Sequence, residues 1–193
     1  LGFSFPAAAS RFLERQDLIT TEANAIGTAT LRADLFNDQH RAALRTALKD
    51  YTQHRIEASA QLRRGLQADD LAEVDRLQAR IWSAAMAGVT DRPQTMLGVL
   101  PPVNDVIDIH SLRIASGRKH LPILVVGLLI MCSVLAMGVI GYGCGMGGNR
   151  RVPLTASLAI IVAAALWITY DLDHPRAGLL QLNDAPLKAL KFD

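Results

Sequence analysis

LPILVVGLLIMCSVLAMGVIGYGCGMGGN at residues 121–149 and VPLTASLAIIVAAALWITY at residues 152–170 contain no Asp, Glu, Lys or Arg, and only Arg150 and Arg151 stand between them. A helix needs about 20 apolar residues to cross the hydrocarbon of a bilayer. Residues 121–140 alone meet that length, and residues 152–170 reach it and end on Trp167 and Tyr170, rings that favour the membrane interface. The joining segment, residues 143–153, reads Gly-Cys-Gly-Met-Gly-Gly-Asn-Arg-Arg-Val-Pro. Its glycines permit a turn, and Pro153 suits the first turn of a following helix. The reading is an antiparallel pair of membrane helices at residues 121–142 and 153–170. The alternative is a buried hairpin of a water-soluble protein, which needs other elements to cover two helices apolar on every side. The charged faces upstream do not supply that cover.

Composition supports two solvents for one chain. Half of the 193 residues are hydrophobic, yet residues 11–119 carry charge throughout. The formal net charge is only +2, and the arginines alternate with acids, so no nucleic-acid partner is expected. Cys132 and Cys144 lie in the apolar run without C-x-x-C spacing, which excludes a disulfide framework or zinc motif of the usual kind and leaves them as free, packing thiols. Arg113, Arg118 and Lys119 precede the first span, and Arg176, Lys188 and Lys191 follow the second. The positive-inside bias therefore places both ends of the hairpin in the cytoplasm.

Residues 1–10 lack the basic start and apolar middle of a signal peptide and read as the tail of a membrane helix that begins upstream. Residues 11–35, with no Pro and only Gly27, suit a long helix continuing from it. Asn37 reads as the N-cap of a helix over residues 38–60, in which Leu44, Leu48 and Tyr51 recur at helical spacing. A third helix is expected over residues 70–86, with Leu71, Val74, Leu77, Ile81 and Ala85 as its apolar stripe. Residues 88–102, with Pro93, Pro101 and Pro102, read as a turn-rich break before a fourth helix at residues 103–115. Nothing alternates as a strand does. The fold class is all-α: a helical membrane protein with a tail of an N-terminal helix (1–10), a helical cytoplasmic region (11–120), a transmembrane hairpin (121–170) and a cytoplasmic C-terminal tail (171–193).

Two sets of residues are candidate sites. Asp17, Thr21, Asn24, Thr28 and Arg32 recur three or four apart and share one face of the first helix. Such a face could line a water-filled path and replace part of an ion's hydration; the plainer reading is an exposed or packing face, with Glu22 and Arg32 in ordinary pairs. Asp105 and Asp108 are three apart, and Asp171 and Asp173, with His174, should reach the same membrane surface when the hairpin closes. Four carboxylates could hold a hard cation through oxygen; the plainer reading pairs them with Arg113, Arg118 and Arg176. Residues 143–148 spell G-x-G-x-x-G after a membrane helix and not after a strand, the wrong setting for a dinucleotide. Gly141 with Gly145, and Gly143 with Gly147, have the spacing of close helix contacts. No nucleophile, zincin or P-loop motif is present, so neither an enzyme nor a cofactor is expected.

Thr21-Glu22-Ala23-Asn24-Ala25-Ile26-Gly27-Thr28, Leu31-Arg32-Ala33-Asp34-Leu35, Pro102-Val103-Asn104-Asp105-Val106-Ile107-Asp108-Ile109-His110 and Leu172-Asp173-His174-Pro175-Arg176-Ala177-Gly178 resemble the signatures of a bacterial bestrophin-like membrane family, a domain of unknown function. The resemblance covers most of the chain. It implies kinship with bestrophins, pentameric anion channels of helical subunits, and so a homo-oligomer in a bacterial inner membrane with the lipid bilayer as its surroundings. The acidic calcium-clasp run of the animal channels is absent, and calcium gating is not implied.

Overall fold

The computed structural model describes residues 4–63, 71–146, 152–175 and 178–192. It is all-α among those residues. The helices are α1 (Ser4–Arg32), α2 (Asp38–Arg63), α3 (Leu71–Asp91), α4 (Met96–Arg118), α5 (Ile123–Met146), α6 (Val152–Asp173) and the short α7 (Ala185–Lys188), with 3-10 turns at Ala33–Leu35 and Pro93–Thr95. The chain divides into two compact units, one of Glu14–Arg118 with Gln181–Asp193 and one of Leu1–Leu13 with Lys119–Leu180.

The first unit is built like a water-soluble helical domain, because each helix buries one stripe. Ile19, Ala23, Ile26 and Ala29 of α1 meet Leu44, Leu48 and Tyr51 of α2, Val74, Leu77, Ile81 and Ala85 of α3, and Val99, Val103, Val106 and Ile109 of α4. The expected stripe of the third helix holds except at its first member, since Leu71 is exposed. Asn37 caps α2 as its sequence position predicts: its Oδ1 accepts from the His40 backbone N–H at 2.9 Å. Its amide also donates to Asp91 at 2.9 Å, which fastens the start of α2 to the end of α3. Gly88 is required by a close approach, for a Cβ there would lie 2.5 Å from the buried ring of Phe36.

The structure corrects the expected break at residues 88–102. α3 runs on to Asp91 and α4 begins at Met96, so Pro101 and Pro102 lie inside a helix. Proline there removes two N–H donors and leaves the carbonyls of Leu97 and Gly98 without helix partners. Packing overrides this cost, because continuous helix puts Val99 and Val103, each 0% exposed, on one buried face. The turn shrinks to Arg92 and the 3-10 segment, where Thr95 Oγ1 donates to the Arg92 carbonyl at 2.7 Å.

Residues 181–193, expected as a tail, also belong to this unit. Leu187 of α7 is 1% exposed in its core. Gln16 holds the approach to α7 by two bonds, donating to the Asn183 carbonyl at 2.9 Å and accepting from the Asn183 N–H at 2.8 Å.

The second unit follows the opposite rule. α5 buries no residue, and α6 buries only Thr169, Asp171, Leu172 and Asp173 near its end. Ile123, Leu124, Val139 and Ile160 are each at least two-thirds exposed. At 1.5 Å per residue, helices of 24 and 22 residues are about 36 and 33 Å long, enough for a hydrocarbon layer of about 30 Å. Both are long and apolar enough to cross a membrane, and Trp167 and Tyr170 are exposed near the end of α6, as in an aromatic belt.

The glycine spacing does not produce close packing in this hairpin. A Cβ on Gly141, Gly143 or Gly145 would meet nothing within 4 Å, and Gly141, Cys144 and Gly145 line an open groove with Val152, Thr155 and Ala156. Gly147 and the rest of the turn lie outside the described residues. Cys132 and Cys144 are free thiols, but Cys132 is exposed and not packed within the described residues.

Candidate functional site

α1 presents two unlike faces. Asp17, Thr21, Asn24, Thr28 and Arg32 are all exposed, so the stripe read from sequence is one solvent-facing row. Thr21 turns its hydroxyl back onto the Asp17 carbonyl at 2.8 Å, leaving oxygen lone pairs outward. Among the described residues Arg32 makes no ion pair. It supplies the basic charge at the last turn of α1.

The opposite face is fixed by a buried charge. Glu22 is 0% exposed and accepts a 2.6 Å hydrogen bond from the Tyr51 hydroxyl, an ion pair from Arg55 at 3.4 Å, and a hydrogen bond from Arg113. Burial alone would raise the Glu22 pKa. The guanidiniums of Arg113 and Arg55 and the Tyr51 hydroxyl outweigh it and hold the carboxyl below the ordinary range. Burial, then the Glu22 charge, pushes the Tyr51 phenol up, which keeps it a donor. Nearby Arg15 donates through Nε to the Ser116 carbonyl at 3.3 Å, a second tie between α1 and α4. His110 of α4 is 4% exposed, and neither ring nitrogen has a hydrogen-bond partner among the described residues. Burial, with the positive charge of Arg55 adding to it, lowers its pKa to about 4.

Sequence reasoning missed this cluster. It placed Glu22 in an ordinary pair, whereas the charge is the polar member of α1's buried stripe. The signal was present in its register, since Ile19, Glu22, Ala23 and Ile26 share the apolar spacing.

The four carboxylates proposed as a cation site are distributed over the two units. Asp105 and Asp108 are exposed on α4, and Asp108 accepts from Asn104 at 2.7 Å. In the other unit Asp171 and Asp173 are buried at the end of α6. Both oxygens of Asp171 are engaged, by the Leu179 N–H at 2.9 Å and the Leu180 N–H at 2.8 Å. Gly178 lies so close to that carboxylate that a Cβ there would be 2.0 Å from an oxygen. Asp173 is paired with Arg11 at 3.1 Å and accepts from the Leu121 N–H at 2.9 Å. It has gathered His120 and His174, whose Nδ1 atoms lie 3.6 and 3.8 Å from Oδ2. The arginine partner is Arg11, not the Arg113 or Arg118 that sequence position offered; Arg176 lies outside the described residues. His120 was not foreseen, although a closed hairpin must bring the residue before its first helix beside those ending its second.

A family model described as the Bestrophin-like domain matches residues 1–187. No curated protein and no solved structure matches the chain. With nearly its whole length matched, and with the all-α build and the two apolar helices just described, the chain belongs to the Bestrophin-like domain family.

Proposed function

We propose that several copies of this chain assemble in a bacterial inner membrane around an ion-conducting path that favours anions, with Thr21, Asn24, Thr28 and Arg32 of α1 lining it. The observation that carries the reading is the exposure of all four on a helix whose other face is pinned by Glu22. The Asn24 amide and the Arg32 guanidinium offer an anion N–H donors in place of lost water, and a fixed positive charge acts more strongly in a confined passage than at an open surface. A ring of five is the stoichiometry that family kinship implies. The reading includes no catalytic step.

A second reading has its own support. Leu31 is 71% exposed and Leu97 87% exposed, with Met96 and Leu35 also open, so the helical unit carries apolar surface that a protein partner could cover. The chain would then be a non-conducting accessory subunit anchored by its hairpin.

Currents through the purified full-length protein in planar bilayers under asymmetric chloride separate the two. Conduction predicts that Arg32→Glu shifts selectivity toward cations and that Asn24→Leu lowers conductance, both in assembled protein. No wild-type current, or current indifferent to both changes, favours the accessory role.

A further inference from the structure

The base of the hairpin brings two imidazoles to one carboxylate. His120 Nδ1 lies 3.2 Å from the Asp173 carbonyl oxygen and 3.6 Å from Asp173 Oδ2. His174 Nδ1 lies 3.2 Å from the Tyr170 carbonyl oxygen and 3.8 Å from the same Oδ2. One ligand atom from each of His120, Asp173 and His174 falls within 4.8 Å of the others. We propose that these three residues form a binding site for a first-row divalent transition ion such as Zn²⁺, which ties the entry to α5 to the end of α6.

The chemistry and the spacing agree. Two imidazoles and one carboxylate are a borderline donor set that suits Zn²⁺ and its neighbours better than Ca²⁺ or Mg²⁺, which prefer oxygen alone. Bonds near 2.0–2.1 Å in a tetrahedral site put ligand atoms about 3.4 Å apart, close to the 3.6 and 3.8 Å separations already present. Each Nδ1 faces a backbone carbonyl at 3.2 Å, so both rings turn away from those carbonyls to share one ion. Three protein ligands leave a fourth position for water.

The surroundings support the ligands as a metal's outer partners do. Arg11 engages Oδ1 and the Leu121 N–H engages Oδ2, which fixes the carboxylate plane. The two rings lie nearly parallel with centroids 4.8 Å apart, and Tyr170 stacks on His174 at 4.3 Å; binding one ion through both imidazoles turns them out of this stack. Asp173 is 3% exposed whereas His120 and His174 are 43% and 39% exposed, so the carboxylate is preorganised and the open side admits an ion. The competing account has each Nδ1–H donating to its backbone carbonyl as a helix C-cap, with no ion bound.

Titration of chelator-treated, full-length protein in detergent with Zn²⁺ by calorimetry, and with Co²⁺ by visible absorption, distinguishes these accounts. One ion per chain is expected, with Co²⁺ bands of a four-coordinate nitrogen and oxygen site. His120→Ala and His174→Ala should each weaken binding by at least about 10-fold, the smallest effect seen when even an outer partner is lost. His40→Ala, in the other unit, should leave it unchanged. Asp173→Asn, with helix content checked by circular dichroism, should weaken binding as the histidine variants do. Absence of binding, binding indifferent to both histidine variants, or binding retained in a folded Asp173→Asn protein would overturn the three-ligand site.

Discussion

Glu22 decides how α1 is held. A buried carboxylate between Arg55 and Arg113 gains its place only while both signs are present, and removing one partner leaves the other charges uncompensated. Glu22→Gln should therefore cost roughly 3 kcal/mol. Tyr51→Phe, which deletes one hydrogen bond to a charged group, should cost about 1.5–3 kcal/mol and never more than Glu22→Gln. Denaturant unfolding of the detergent-solubilised protein ranks them, and equal stability of wild type and Glu22→Gln would show that the cluster does not hold α1. His110 makes a separate, pH-dependent contribution. Its pKa falls from 6.5 to about 4 on folding, so between those values the unfolded chain binds more protons and stability is lost as pH falls. The groups facing it are Arg55 and Arg113, which oppose its protonation, and Glu22 and Asp75, which favour it. Glu22 itself is held below its ordinary 4.5, so its own loss comes only below that pH. At pH 5 the His110 contribution amounts to a loss of about 2 kcal/mol relative to neutral pH. His110→Leu should remove that part of the slope between pH 6.5 and 4; a variant as acid-sensitive as wild type would place the titration elsewhere.

The helices were legible to different degrees for identifiable reasons. α5 and α6 announce themselves because a charge-free run of spanning length has few alternative fates. An arginine in place of Leu129 or Ile161 should cost about 2.5–3.5 kcal/mol of insertion free energy at a helix centre. A glycosylation-reporter insertion assay measures it, and unchanged integration of both variants would contradict their assignment as spans. α2 was legible from Asn37 and its leucine spacing, because cap and stripe are local signals. The Pro101–Pro102 pair misled, since local propensity argues for a break while Val99 and Val103 reward continuity only once α1 to α3 are there to cover them. The Gly141–Gly145 pair of α5 misled in the opposite sense, because spacing states which residues share a face and not whether a neighbour occupies it. The buried role of Glu22 was illegible because its partners Tyr51 and Arg113 lie 29 and 91 residues away. His120 and Asp173 are likewise joined only by closure of the hairpin.

At the scale of the whole molecule, one chain combines a unit that buries its apolar stripes with a hairpin that buries almost none. In water the bare surfaces of α5 and α6 would be strongly unfavourable, at roughly 25 cal/mol per Å²; lipid or neighbouring copies must cover them. The proposed anion path lined by α1 adds a stricter requirement, because a single exposed row encloses nothing and copies would have to supply the other walls. The mass of the full-length protein extracted in mild detergent, measured by native mass spectrometry, tests that requirement most directly. The account predicts one closed assembly of several copies, five by family kinship, and a protein that remains a monomer under conditions preserving its helix content would contradict it.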